Sequence, residues 1–497
     1  MGATDKRESH SLGFDIEQDM MGALVGALPI SKMRDAMEAV PPRLTLLFFA
    51  MPFQLVAEPL YWLYGREGNV AVIALCMALW FAWFALVFLM AVPPVDRWLL
   101  PRLRQLKRGV VVITVVLAVV GMAELVGMYL LETGTVRGTR LTDEVTGYFR
   151  YNDATAMSHQ ASETLLEGEN PYTEANIIAA LEKHPAATVT PLRQGDFAEV
   201  FPRPSQEQLK EVLSEARESG NGAPEELESK VSYPAGSFLF QTPLVALGLE
   251  DLRIFYLICA VAAGSIVLWR APSALRPWAV AAFLVSVVLW NLIATGTIDT
   301  LYVLFVLLGW MLRSRLFVAS VFMGLAAATK QIAWAYALFF LILVLRERGW
   351  KPAFSSAGVA AGVFAAINVP FIFDASRHWV EGILSPVLDP MFPGGVGVMA
   401  FSVAGILPPN PLIFTIMEAA VLLVGALWYY RSGYRYPYVG LVLAVLPFFF
   451  AWRSYSWYFY FASFLIFGLV LLEYRRRLPG SGMLPQPLRT SVAESQV

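Results

Sequence analysis

Read for its hydrophobic and polar positions, the chain is a succession of long apolar runs joined by short turns. Runs long enough to cross about 30 Å of hydrocarbon as helix fall at 43–64, 70–93, 109–132, 252–270, 277–296, 354–373, 411–430, 436–452 and 457–474. From 298 to 346 the apolar character outlasts a single span, and it is interrupted by Arg313, Arg315 and Lys330. That pattern predicts three shorter helices, 298–313, 316–329 and 332–346, the last two forming a hairpin that stops short of a full crossing. The fold class expected is therefore all-α, a polytopic transmembrane bundle of about twelve spans.

Two stretches are too long and too polar to be plain connectors, and long ordered loops are usually functional. The first, 133–250, makes a large extracytoplasmic loop between the third and fourth spans. It holds a polar helix near 205–218, bounded by Pro202, Pro204, Gly220 and Gly222, which reads as a small subdomain. The second, 374–410, has Trp379, Val380, Ile383 and Leu384 at helical spacing, which predicts a short helix lying in the membrane interface. The remaining divisions are an N-terminal cytoplasmic or interfacial segment (1–42), with an interfacial helix over 14–40, three spans (43–132), a bundle (251–475) and a tail (476–497).

Charge sets the expected orientation, because basic residues in short loops stay on the cytoplasmic side. With the N-terminus inside, the inside loops carry Arg97, Arg102, Arg104, Lys107 and Arg108, then Arg270 and Arg276, Arg313 and Arg315, Arg346, Arg348 and Lys351, Arg431 and Arg435, and Arg475 to Arg477. Residues 133–235, expected outside, hold 17 acidic and 9 basic residues. Both termini are thus expected in the cytoplasm, in a multi-pass protein of the plasma (inner) membrane.

Composition agrees: 57% of residues are hydrophobic and 15% charged, with mean hydropathy +0.57. A net charge of −2 excludes a nucleic-acid partner, which would need a basic stripe to neutralise phosphates. Cys76 and Cys259 both fall in apolar runs, so no disulfide framework or cysteine metal site is expected. The first long apolar run begins only near Leu44, which argues against a cleavable secretory signal.

Chemistry is sought where charges meet apolar helix. Tyr151-Asn152-Asp153 stands before an amphipathic helix that ends in Gly168-Glu169-Asn170-Pro171-Tyr172. A carboxylate at the mouth of a membrane cavity is positioned to take a proton from an arriving hydroxyl, so Asp153 is the lead base. Its bland alternative is a surface aspartate that caps the helix, and Asp143-Glu144 is a rival acidic pair. Lys330, flanked on both sides by apolar helix, needs a cavity, a partner or a route to the interface. Arg453, between the last two spans among Trp452, Tyr455, Trp457 and Tyr458, is a guanidinium suited to bidentate phosphate recognition. No spacing of histidines and carboxylates of metal-site type stands out.

The ordered set resembles the GT-C superfamily of membrane glycosyltransferases, especially the branch that includes polyprenol-phosphate-mannose-dependent mannosyltransferases. The similarity covers roughly 109–475. It rests on Asp153, on Gly168 to Tyr172, on the step Tyr233-Pro234, on the turn-helix-Arg-helix-Lys unit from Gly296 to Lys330, and on Asp389-Pro390. The family step is often Tyr-Pro-Pro, and here Ala235 replaces the second proline; two extra spans precede the pattern, and 174–232 is an insert. The resemblance implies that Asp153 is the base toward an acceptor hydroxyl and that Lys330 and Arg453 hold the donor phosphate. Accessory roles fall to Asn152, His159, Tyr172, Tyr233, His378 and Tyr458. It implies transfer of a mannose-like hexose, with inversion, from a polyprenyl-phosphate sugar to a glycan, glycolipid or protein acceptor in the cell envelope. No cofactor beyond the lipid-linked donor is implied, no metal ligands are assigned, and a requirement for a divalent ion is left open.

A multispan transporter or lipid flippase would also bury charges in a bundle, but transporters often show duplicated halves, and no duplication is evident. A non-catalytic member of the same fold is the third reading.

Overall fold

The computed structural model describes residues 42–132, 150–220 and 222–474. The helix expected over 14–40, the pair Asp143-Glu144 and the tail from 475 onward lie outside these residues. Apolar runs become helices: α1 (Thr45–Leu60), α2 (Val70–Met90) and α3 (Leu103–Glu132), followed outside the spans by α4 (Asp153–Leu166), α5 (Ile177–Lys183) and α6 (Gln206–Ser219). The bundle resumes with α7 (Leu252–Arg270), α8 (Arg276–Leu284), α9 (Val287–Thr295), α10 (Asp299–Met311), α11 (Leu316–Ala327) and α12 (Ile332–Arg348). It closes with α13 (Trp350–Leu388), α14 (Pro411–Arg431), α15 (Val439–Val445) and α16 (Trp457–Tyr474). Among the described residues the only paired strands are Gly394-Gly395 and Arg453-Ser454, which run parallel.

Seven of these helical segments are long and apolar enough to cross a membrane, eight if α8 and α9, bent by 52°, form one broken span. The three shorter helices expected over 298–346 form as α10, α11 and α12, and none of them meets the length of a full span, so the expected count of about twelve is not reached by length and composition among the described residues. Helix α10 has 13 residues and α11 has 12; at 1.5 Å per residue they rise about 20 and 18 Å, against about 30 Å of hydrocarbon. The run expected at 436–452 likewise gives only a short apolar helix, Val439–Phe450. The short helix expected near 379 forms as the part of α13 that follows a kink at Ala375 (φ −142°, ψ 61°), where two helices meet end to end.

Packing identifies the solvent. The span Pro411–Arg431 has a mean hydropathy of 2.0, yet only 11% of its apolar window is buried, and Trp350–Leu388 is similar at 17%. Side chains such as Phe317, Phe354, Leu423 and Val424 point away from the protein. Such continuous apolar surface is stable only against hydrocarbon; the chain is an integral membrane protein. Within the bundle, α10 and α16 pack at the centre, with α2, α7, α12 and α15 around them. A second apolar cluster (Tyr151, Met157, Ile178, Phe197, Leu252, Phe392) joins the segment carrying α4 to α6 onto one end of that bundle.

The two ends differ in chemistry. At one end Arg43 pairs with Asp96 and Glu473, Arg346 stacks over Tyr430 and Tyr434, and Arg348 donates to the carbonyl of Arg313. At the other, the turns around Gly296, Lys330, Asp389 and Arg453 converge on the start of α4.

Candidate active site

The site is built where α4 begins. Asn152 is its N-cap: the side-chain oxygen accepts from Thr155 N at 2.8 Å, and the side-chain amide donates to the carbonyl of Gly296. Gly296 has φ +82°, and a Cβ there would meet Thr155 Oγ1 at 2.7 Å. Only glycine allows that turn and approach. Because Asn152 does the capping, Asp153 is released as the first residue of the helix. Its Oδ1 accepts from Ala154 N at 2.9 Å and its Oδ2 from Thr190 Oγ1 at 2.6 Å. Those bonds fix the carboxylate, half-buried, and each oxygen retains acceptor capacity for an incoming hydroxyl.

Thr190 ties the aspartate to a second carboxyl that sequence reading missed. Its carbonyl accepts from Glu228 N at 2.9 Å, and the Glu228 carboxyl is buried beside the hydroxyl of Ser385. Burial, then the nearby Asp389, raises the Glu228 pKa to about 7, with Ser385, Arg453 and Lys230 acting in the opposite sense. Asp389 itself is held by Lys230 at 2.7 Å. The folded state therefore binds the Glu228 proton more tightly than the unfolded chain, in which the group titrates near 4.5. Stability contributed by that proton is complete below about pH 4.5 and is lost as pH climbs through about 7. The thermal midpoint of wild-type protein in detergent should fall over that window relative to Glu228→Gln, whose amide mimics the neutral acid. Parallel pH profiles for the two proteins would show that Glu228 titrates normally.

Lys330 is not a free cation. Its Nζ lies 2.9 Å from both carboxylate oxygens of Asp299, and the two side chains are 5% and 2% exposed. Asp299 opens α10 and also accepts from the hydroxyl of Thr297. The ammonium sits over the rings of Tyr233, at 4.9 Å, and Tyr458, at 5.8 Å. The pair is thus boxed by aromatic faces, which favour the cation and exclude water.

The Tyr233-Pro234 step is pinned from three sides. Tyr172 OH donates to the Tyr233 carbonyl at 2.8 Å, Gln331 Nε2 to the Ser232 carbonyl at 2.6 Å, and Ala235 N to Asn368 Oδ1 at 2.9 Å. Tyr172 and Asn368 therefore position the step. The Gly168 to Tyr172 turn is itself anchored, since Asn170 donates to Asp374 at 2.8 Å. Burial, then the carboxylates of Asp299 and Asp153, makes the Tyr233 hydroxyl a much weaker acid than usual, with Arg453 acting in the opposite sense. Tyr233 thus stands among the charged groups of the site and stays neutral.

Arg453 is held by the paired strands. Gly395, at φ +99°, passes so close to Ser454 that a Cβ would lie 2.0 Å from its carbonyl oxygen. The guanidinium donates to Met391 Sδ at 2.6 Å and to Tyr455 OH at 3.2 Å, and its Nε is buried without a hydrogen-bond partner. Burial opposes its charge, but Tyr455, Tyr458 and Asp153 more than offset that and keep the group protonated. Unlike Lys330, Arg453 forms no carboxylate ion pair among the described residues.

Asp153, Tyr233, Lys330, Arg453 and Tyr458 therefore share one electrostatic neighbourhood. His378 does not join it; it is exposed on α13. His159 lies on α4 beyond the group, stacked on His184, and burial, then His184, lowers its pKa to about 4. Sequence alone offered a faint signal for Glu228, an acid two residues from Lys230 just ahead of Tyr233, but nothing that tied it to Asp153.

No curated protein and no solved structure matches the chain. Residues 232–452, which include Tyr233, Asp299, Lys330 and Asp389 but neither Asp153 nor Arg453, match the family model of glycosyltransferase family 87. That similarity, on a bundle of lipid-exposed apolar helices, indicates a membrane glycosyltransferase.

Proposed function

We propose that the chain is a GT-C-type enzyme that moves a mannose-like hexose from a polyprenyl-phosphate donor to an acceptor hydroxyl on the extracytoplasmic side of the membrane. The reading rests chiefly on one observation: at one end of the bundle stand a carboxylate fixed at the start of α4, Asp153, and a buried guanidinium without a carboxylate partner among the described residues, Arg453, beside residues 232–452 that match the family model.

In the reaction, Asp153 removes the acceptor proton as the acceptor oxygen attacks the anomeric carbon. The bond from that carbon to the phosphate oxygen breaks, and polyprenyl phosphate leaves with the electron pair. Attack from the face opposite the phosphate inverts the anomeric centre. Negative charge grows on the departing phosphate, where a preorganised guanidinium in a water-poor site stabilises it. Lys330 contributes positive potential only in part, because Asp299 neutralises most of its charge. Its work is to hold Tyr233 and Tyr458 at the donor site.

The test is release of polyprenyl phosphate by purified protein in lipid, given polyprenyl-phosphate hexoses and an envelope glycan or glycolipid extract. Arg453→Lys should retain the fold but bind polyprenyl phosphate about tenfold more weakly, since an ammonium cannot reproduce the bidentate fork. Wild-type affinity in that variant would remove Arg453 from the phosphate site, and absence of any transfer would sink the enzymatic reading.

A further inference from the structure

Away from the Asp153 group, α4 carries a second constellation. His159 and Glu163 lie four residues apart on one helix face, and His184, at the end of α5, reaches the same point. One donor atom from each lies within 4.8 Å of the other two. His184 Nε2 is 3.3 Å from Glu163 Oε1, and the two imidazoles are stacked with centroids 3.7 Å apart. His159 is 2% exposed, and its Nδ1, like His184 Nε2, is buried without a hydrogen-bond partner. A buried imidazole nitrogen left unpaired, His159 Nδ1, next to a second imidazole that faces a carboxylate without a well-directed hydrogen bond, is costly unless something binds there.

We propose that His159, Glu163 and His184 bind a divalent transition-metal ion of the zinc class. Two imidazoles and one carboxylate, with a fourth position for water, are a donor set that suits zinc and not magnesium or calcium, which take oxygen ligands. Parallel stacked rings direct their in-plane lone pairs side by side, so loading the ion requires one ring to turn. His184 is the one that turns: it is the more exposed of the two and sits past the last turn of α5. Outer contacts are also in place. Lys183 Nζ lies 3.4 Å from the other oxygen of Glu163, and the ring of Tyr151 packs against both histidines.

The ion would act as a staple. Ala187 N donates to the Tyr151 carbonyl at 2.8 Å, so the chain just after His184 already runs beside the residues that lead into Asp153. Closing His184 onto α4 would lock that arrangement and hold the aspartate at the helix start. The proposal concerns metal affinity and does not depend on the glycosyl-transfer reading.

The experiment uses tag-free full-length protein in detergent, stripped with chelator and desalted. Zn²⁺ uptake should reach one ion per chain, Co²⁺ should give the visible bands of a four-coordinate site, and Mg²⁺ should not compete. Zn²⁺ should also raise the thermal midpoint. His184→Ala and Glu163→Gln, chosen at half-buried positions to spare the fold, should each weaken Zn²⁺ binding about tenfold or more and abolish the thermal shift, while His378→Ala should do neither. No stoichiometric uptake by the wild type, or equal uptake by His184→Ala, would overturn the assignment.

Discussion

Asp153→Asn is expected to bind polyprenyl-phosphate sugar as the wild type does and to turn it over about 10²- to 10⁴-fold more slowly, the range for loss of a positioned general base. The asparagine can keep the side chain in place, because its amide oxygen still accepts from Ala154 N while its NH2 can donate to Thr190 Oγ1 in place of the bond that hydroxyl gave. What it loses is basicity. Binding measured by equilibrium methods and turnover measured from pre-bound donor separate the two effects. Transfer at the wild-type rate would return Asp153 to a surface role and leave Glu228 as the next carboxyl to test.

The other large effect concerns the buried pair. Lys330→Met leaves Asp299 ionised, buried and unpaired, and breaking such a pair typically costs about 3–5 kcal/mol. The variant should unfold at lower temperature or fail to accumulate in membranes. Adding Asp299→Asn should restore stability, because the double variant removes both charges. Donor binding by that stable double variant is the decisive reading. Affinity near wild type would confirm that Lys330 organises the site without touching phosphate, whereas its loss would make the lysine a phosphate ligand after all.

Much of the architecture was legible in the sequence because hydrophobic length is a local property. The limits of α2, α7, α14 and α16 follow their apolar runs closely. The polar helix expected at 205–218 forms at Gln206–Ser219, with the Ser205–Gln208 capping box that makes its start recognisable. The capping choice at α4 was less legible, since Asn152 and Asp153 both suit an N-cap and only the Gly296 carbonyl decides between them. Pairings over long sequence distance left no trace at all. Lys330 finds Asp299 31 residues away, and Glu228 meets Arg453 through the fold alone. The short helices expected over 298–346 do form as α10 to α12, whereas the run at 277–296 is bent into α8 and α9, because composition marks a run as apolar but packing decides where it breaks.

The truncated helix α11 carries a consequence for the surrounding bilayer, because its Phe317 and Val318 face outward. It rises roughly 12 Å less than the hydrocarbon is thick, and lipids beside so short a wall must thin or tilt to match it. If the donor is the isoprenoid-linked sugar proposed above, its tail would remain in the oily layer while the headgroup enters sideways through that dent, without leaving the leaflet.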